Sequence, residues 1–401
     1  MSVQSSTKVV ARAVEDVYAD LLAGNVPVIL DVRNADDFAR WHIEGRKGTR
    51  VINIPYFEFI EDEEGSIAKV PTGAPVLVVC AKEGSSQFVA ELLAERGIPA
   101  SYLAGGINAW GNFYDTRPIL EADYGRIIQI SRPARGDLAW LVVSDGEAAV
   151  IDPLRHIEHV DALLAQENAT LAHIFDTHVH ADHISGGPAL AEKYRAPYYI
   201  HPYDAIHPLD MLPAKYAYTP LADNDTFTVG RFTVRVIWYP GHTLGQVNYL
   251  FTAPTGETFL FTGDGIFLQS FGRPDLGGRG EEWAPILYES MFEKLPRYIN
   301  EQTWILPAHF ASLDEDDGQG RFYAPYGQVL ETNTTLKEAG QMSRDEFIAW
   351  ILNNLPVFPE QYVEIKRVNI GISTPDEETA SELELGKNIC ALADAYAETN
   401  A

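Results

Sequence analysis

The chain has 401 residues, 46% of them hydrophobic, enough for two or three full cores, and its 57 acidic against 30 basic residues give a net charge of −27. That balance argues against general binding to nucleic acid or an anionic membrane surface. Only two cysteines, Cys80 and Cys390, exclude a disulfide scaffold; with no apolar signal core near the start and no run near the ~18 apolar residues of a membrane span, a cytoplasmic setting is expected.

Residues 1–118 read as a small α/β domain. Val14 to Leu22 carries helical apolar spacing, while Val26–Val32 and Val76–Val79 read as buried strands. Strands alternating with helices predict a parallel sheet, whose active groups sit at strand carboxyl ends. Cys80 stands at such an end, followed by Ala81-Lys82-Glu83-Gly84-Ser85-Ser86 and a helical stretch from Gln87 to Leu93. A glycine-containing loop ahead of a helix offers backbone N–H groups and a helix dipole to a thiolate, with Lys82 and Ser85 as the polar groups expected on the substrate side. The competing reading is a buried, inert cysteine.

These residues resemble the rhodanese (sulfurtransferase) family. The matching pieces are Asp31-Val32-Arg33, His42-Ile43-Glu44-Gly45, Asn53-Ile54-Pro55, the Cys80 loop, and Leu103-Ala104-Gly105-Gly106 with Trp110, together covering most of residues 10–115. The resemblance implies that Cys80 carries a sulfane sulfur as a persulfide and passes it on. Gly84 comes one residue later than in the common rhodanese loop and no Arg follows it, which leaves donor and acceptor open.

Pro118 supplies a break and the domain boundary is set there, with a second domain over 119–401. Ile127–Ile130, Ala139–Val143 and Ala148–Ile151 are β-rich runs, with a hairpin signal at Ser144-Asp145-Gly146-Glu147. The third run ends in Asp152. After a helical stretch over Val160–Gln166 comes Thr177-His178-Val179-His180-Ala181-Asp182-His183, which places three of the chain's 11 histidines within six positions. Imidazoles and a carboxylate this dense suit zinc or ferrous iron. Later strand runs end in His242, Asp264 and His309, the pattern of a site assembled from several strand ends.

This part resembles the metallo-β-lactamase fold superfamily over residues 124 to about 335, with Asp152, His178, His180, Asp182, His183, His242, Asp264 and His309 in family order. The implied fold is an αβ/βα sandwich with the metal between two sheets. Two reactions are compatible with it. A dinuclear Zn(2+) centre using all the ligands implies a thioester hydrolase of the glyoxalase II type. The persulfide dioxygenases instead hold one Fe(2+) on the residues matching His178, His242 and Asp264. His180, Asp182, His183 and His309 are then expected to hold no second metal. Two His and one carboxylate leave positions open for O2 and substrate sulfur. Gly272-Arg273-Pro274-Asp275 is similar to a stretch of those dioxygenases, which implies that Arg273 holds a substrate anion; its structural reading is a loop ion pair with Asp275. Phe271 and Phe310 depart from the family and leave the thiol open.

A sulfane-sulfur domain fused to a persulfide oxidase shares an intermediate at raised effective concentration, whereas thioester hydrolysis gives it nothing to do. The expected function is therefore oxidation of a low-molecular-weight thiol persulfide, such as glutathione persulfide, to sulfite, coupled to sulfur transfer at Cys80 involving thiosulfate. A sulfane-sulfur carrier without turnover is a third reading. Asp314-Glu315-Asp316-Asp317-Gly318 reads as solvated surface. The C-terminal extension, 336–401, reads as helical, interrupted by Pro356 and Pro359. Phe347, Ile348, Trp350 and Ile351 form an apolar face for the sandwich or for a second subunit, so a homo-oligomer stays open. Cys390 reads as buried and structural.

Overall fold

The computed structural model describes residues 9–392 apart from Pro27. The first unit is a five-stranded parallel sheet: β1 (Val10–Arg12), β2 (Val28–Asp31), β3 (Arg50–Asn53), β4 (Val76–Val79) and β5 (Ala100–Leu103), in the order β1-β5-β4-β2-β3. β2 and β4 are buried along their whole length, as parallel strands covered on both faces must be. Helices α1 (Val14–Leu22), α2 (Gly84–Glu95) and α3 (Gly106–Gly111) connect and cover them. α2 begins at Gly84, three residues ahead of the stretch read as helical.

The second unit packs two sheets face to face. One has seven strands: β6 (Asp115–Ala122), β7 (Gly125–Arg132), β8 (Asp137–Ser144), β9 (Glu147–Ile151), β10 (Thr170–Phe175), β11 (Tyr198–Ile200) and β12 (Thr219–Pro220), paired in sequence order. The other has six: β13 (Thr226–Val229), β14 (Phe232–Trp238), β15 (Val247–Thr252), β16 (Thr258–Gly263), β17 (Trp304–Pro307) and β18 (Ala324–Pro325). β8 displays the reason for the layering. Leu138, Trp140 and Val142 enter the core between the sheets, where Trp140 meets Phe261 with ring centroids 6.0 Å apart, while Ala139, Leu141 and Val143 enter the core under the outer helices. Side chains of period two, buried on both sides, require a layer on each face. The hairpin between β8 and β9 turns at Asp145 and Gly146, both at positive φ (49° and 78°), the conformation an Asp-Gly turn supplies.

The boundary expected at 118 falls inside β6, which starts at Asp115 and pairs with β7. Pro118 causes a register shift rather than a break, because an edge strand tolerates a residue without an N–H. The two units share one apolar cluster running from Tyr18, Leu21 and Trp110 into the sandwich. Polar bonds reinforce it: Arg132 Nε donates to the Gly111 carbonyl at 2.8 Å and Arg46 Nη2 pairs with Asp316 Oδ1 at 2.7 Å. Asp316, read as solvated surface, has its side chain only 1% exposed because it anchors this junction.

Candidate metal centre

Every candidate ligand lies just past a strand's carboxyl end: Asp152 after β9, His178 to His183 after β10, His242 after β14, Asp264 after β16 and His309 after β17. All are buried. His178, His242 and Asp264 offer ligand atoms that lie within 4.8 Å of one another. His242 Nε2 is 3.3 Å and His178 Nε2 3.8 Å from Asp264 Oδ2, and these buried atoms have no hydrogen-bond partner.

The outer atom of each of the three is occupied. Thr177 Oγ1 spends its only proton on the Asp152 carboxylate (2.9 and 3.0 Å), so His178 Nδ1 must donate to it at 3.0 Å. His242 Nδ1 donates to the Arg273 carbonyl at 2.8 Å. His309 Nδ1 donates to Asp264 Oδ1 at 2.6 Å. Both imidazoles are therefore fixed as the tautomer whose Nε2 lone pair points inward, the arrangement second-shell bonds impose on metal-binding histidines. Burial lowers the pKa of His178 and His242. Burial pushes that of Asp264 up, but the charge of His309 outweighs it and holds the carboxyl below its usual range. Neutral imidazole and ionised carboxylate are the ligating forms. Three inward-facing orphaned atoms, two nitrogens and an oxygen, fit a divalent cation.

The other histidines are arranged differently. His180 Nε2 sits 3.1 Å from Asp152 Oδ1 and groups with Asp152 and Asp176. Burial disfavours its charge, yet Asp152 raises its pKa to about 9. Asp182, His183 and His309 form a second group with Asp137, a residue the sequence did not single out. It arrives through an isolated β-bridge between Asp137 and His309.

Several positioning residues also escaped the sequence. Asp204 accepts from Val179 N–H (2.9 Å), the Thr243 hydroxyl (2.7 Å) and Gly245 N–H (2.8 Å), clamping the His178 and His242 loops together. On α5 (Gln361–Asn369), with α4 (Gly187–Tyr194) following the histidine loop, the Asn369 amide donates to the carbonyls of His180 (2.9 Å) and His183 (2.7 Å). Neither is near His178, His180, His183 or His242 in sequence.

Arg273 spends its guanidinium on partners within the protein. Its guanidinium is buried and all five N–H donors are taken: two by Asp275 at 2.7 Å each, one by the Pro356 carbonyl at 2.7 Å, and two by the carbonyls of Val357 and Ile389 at 3.3 Å each. That is the loop ion pair, extended to the C-terminal segment. A cavity of about 170 Å³ lies beside the centre instead, its wall including Val179 and Thr243, which follow His178 and His242, together with Arg279, Trp283 and Lys366. Cys390, read as a packing residue, is indeed fully buried but reaches the centre: its sulfur falls within 4.8 Å of ligand atoms of Asp264 and His309.

In the first unit Cys80 directly follows β4, buried, with Sγ 3.2 Å from Ser86 Oγ. Ser86 rather than Ser85 meets the sulfur, and Lys82 is exposed. The loop is pinned from below by α3: Ile107 N–H donates to the Cys80 carbonyl at 2.8 Å, and a Cβ on Gly106 would stand 2.4 Å from the carbonyl oxygens of Cys80 and Lys82.

Residues 14–113 match the Rhodanese-like domain family and residues 133–311 the Metallo-beta-lactamase superfamily. A hydroxyacylglutathione hydrolase of Actinobacillus pleuropneumoniae is 31% identical over 184 residues, 45% of this chain and 69% of that protein. The mitochondrial persulfide dioxygenase ETHE1 of Mus musculus is 27% identical over 233 residues, 57% of this chain and 81% of that protein. A metallo-beta-lactamase crystal structure from Staphylococcus aureus has the same fold, with TM-score 0.52 at 23% identity over 66% of this chain and 74% of that one. Among the described residues no helix is long and apolar enough to cross a membrane.

Proposed function

We propose, for a chain that belongs to the metallo-beta-lactamase superfamily and carries a rhodanese-like domain ahead of it, that the second domain is an iron-dependent persulfide dioxygenase and the first a sulfurtransferase acting at Cys80. The observation that carries this reading is that His178, His242 and Asp264 come together as a two-His, one-carboxylate group that His180, paired with Asp152, does not join. Such a group leaves coordination positions for two further ligands, and the bound ferrous ion would supply the activation of O2 and the thiolate affinity that sulfur oxidation needs.

The chain's own residues supply the rest. Thr177 and the Arg273 carbonyl hold the imidazoles at their angle, His309 holds Asp264, and Asp204 keeps the two ligand loops at a fixed separation. The cavity beside the centre takes the thiol carrier, with Lys366 and Arg279 offering positive charge to its carboxylates and Trp283 an apolar wall. Burial of the centre excludes bulk water from the reacting sulfur. In the first domain the loop at the start of α2 receives sulfane sulfur on Cys80, with thiosulfate as one end of the exchange. A cytoplasmic location goes with this reading, because both chemistries use free thiols.

The test is metal content of anaerobically purified protein together with oxygen uptake on adding glutathione persulfide. About one iron per chain with rapid uptake and sulfite release is expected; no uptake with any low-molecular-weight persulfide sinks the proposal. Loss of thiosulfate:cyanide transfer in Cys80→Ser checks the first domain.

One observation favours a second reading. The group of Asp137, Asp182, His183 and His309 would accept another cation, and the similarity to a hydroxyacylglutathione hydrolase matches it. About two zinc ions per chain with hydrolysis of S-lactoylglutathione and no oxygen uptake would establish this dinuclear hydrolase instead.

A further inference from the structure

Lys366 stands on α5 and lines the cavity beside the metal centre, yet it is only 4% exposed. Among the described residues no hydrogen bond or ion pair engages its ammonium. Asp204, the acid it feels most strongly, already accepts from Val179 N–H, the Thr243 hydroxyl and Gly245 N–H. His207, another buried side chain of the wall, spends both ring nitrogens: Nε2 donates to the Val363 carbonyl at 3.2 Å and Nδ1 accepts from Asp210 N–H at 3.0 Å. Arg279 is largely exposed and pairs with Glu282 at 3.4 Å. Much of the remaining wall is apolar, with Met211, Leu244, Trp283 and Ile370.

A buried ammonium without a partner has lost its hydration and recovered little of it. Burial pulls the Lys366 pKa below the ordinary lysine value, and the carboxylates of Asp204, Asp182 and Asp264 only partly offset that. A side chain kept for packing alone would be more stable here as a thioether or an alkyl group. An anion delivered into the cavity would supply the missing partner through a charge-assisted hydrogen bond.

We propose that Lys366 is the specificity-determining residue of this cavity: its ammonium seats one carboxylate of the thiol carrier, so the site takes carboxylate-bearing thiols. A carrier whose thiol arm is uncharged, such as a pantetheine amide arm, would leave the ammonium buried and unpaired, the situation in which a polar site rejects an analogue most strongly. A phosphate dianion would bring a second negative charge among Asp204, Asp182 and Asp264, which disfavours it. The proposal rests on the reading that the cavity seats the carrier, and not on which reaction follows.

Calorimetric titration of the full chain with S-methylglutathione and with its diamide, in which both carboxylates are amides, tests the seat. The wild type is expected to bind the acid at least about tenfold more tightly than the diamide, and Lys366→Met to bind the two alike. Absence of the preference in the wild type, or its survival in Lys366→Met, overturns the proposal. The wild-type comparison needs no substitution, so a poorly folding variant does not blunt it. Thermal unfolding without ligand gives a second readout. Lys366→Met should melt no lower than the wild type, because an unpaired buried charge is replaced by an apolar chain of similar length. A lower midpoint would make Lys366 a structural counter-charge to Asp204 and overturn the proposal too. Neither readout uses oxygen uptake, so a failed dioxygenase assay leaves the carboxylate seat standing, and a failed seat leaves the dioxygenase reading standing.

Discussion

His180 and Asp152 form a pair, Nε2 to Oδ1 at 3.1 Å, that draws this imidazole out of the group formed by His178, His242 and Asp264. Were one ion held by those three residues, His180→Ala would leave metal content near that of the wild type. His178→Ala, His242→Ala and Asp264→Ala would each reduce it to background. Metal analysis of the four purified variants decides, and equal loss in His180→Ala would mean that its ring swings back to ligate.

Arg273 is predicted to act on stability and metal affinity rather than on substrate affinity. Its carbonyl orients His242 and its side chain ties Asp275 to residues 356, 357 and 389. Arg273→Ala removes a buried charge and strands Asp275 and three carbonyls, a loss on the order of 3–5 kcal/mol. Denaturant unfolding should record it, with KM for the persulfide little changed in whatever enzyme stays folded. A large rise in KM at unchanged stability would restore the substrate-side role.

Gly272 has no room for a side chain. An added Cβ would stand 2.0 Å from the Asp264 carbonyl oxygen and 2.7 Å from His242 Nδ1. Both neighbours carry ligands, so relief of the clash must displace the centre itself. Gly272→Ala should therefore lose at least tenfold in metal affinity, the scale on which second-shell disruption acts. Competitive chelator titration measures it, and wild-type affinity would contradict the packing.

How much of this could be read from the sequence followed from how local each cause is. His178 to His183 lie in one loop and His242, Asp264 and His309 each cap a strand run, so the ligand list was legible. Which of them group together came from the family resemblance and not from their spacing, because it depends on Thr177 and Asp152 fixing ring orientation across the sheet. Asp204, Asn369 and Asp137 position the centre from distant segments and carry no motif. Cys390 gave the opposite impression, since an apolar sequence neighbourhood describes only one side of its sulfur. Arg273 matched a family stretch, yet its five donors were claimed by a C-terminal segment whose path no periodicity indicates.

Glu384 gives the last prediction, in acid. Its side chain is fully buried, with Oε2 2.8 Å from both Arg132 Nη1 and Arg155 Nε and Oε1 accepting from Ile184 N–H at 2.8 Å, so it joins the C-terminal segment to the histidine loop. Burial alone would push its pKa up, but the guanidiniums of Arg132, Arg155 and Arg135 outweigh that and hold it at about 2, against an ordinary 4.5. A carboxyl depressed in the folded state contributes stability that is complete above the unfolded pKa and is lost as pH falls toward the folded one. The contribution, about 3 kcal/mol at neutral pH, should therefore fade between pH 4.5 and about 2. Glu384→Gln should be less stable than the wild type by that order at pH 7, and the gap should close on acidification through this window. Unfolding free energies of both proteins from neutral pH to strong acid test it; a gap that stays constant would show that Glu384 acts by shape and hydrogen bonding rather than by charge.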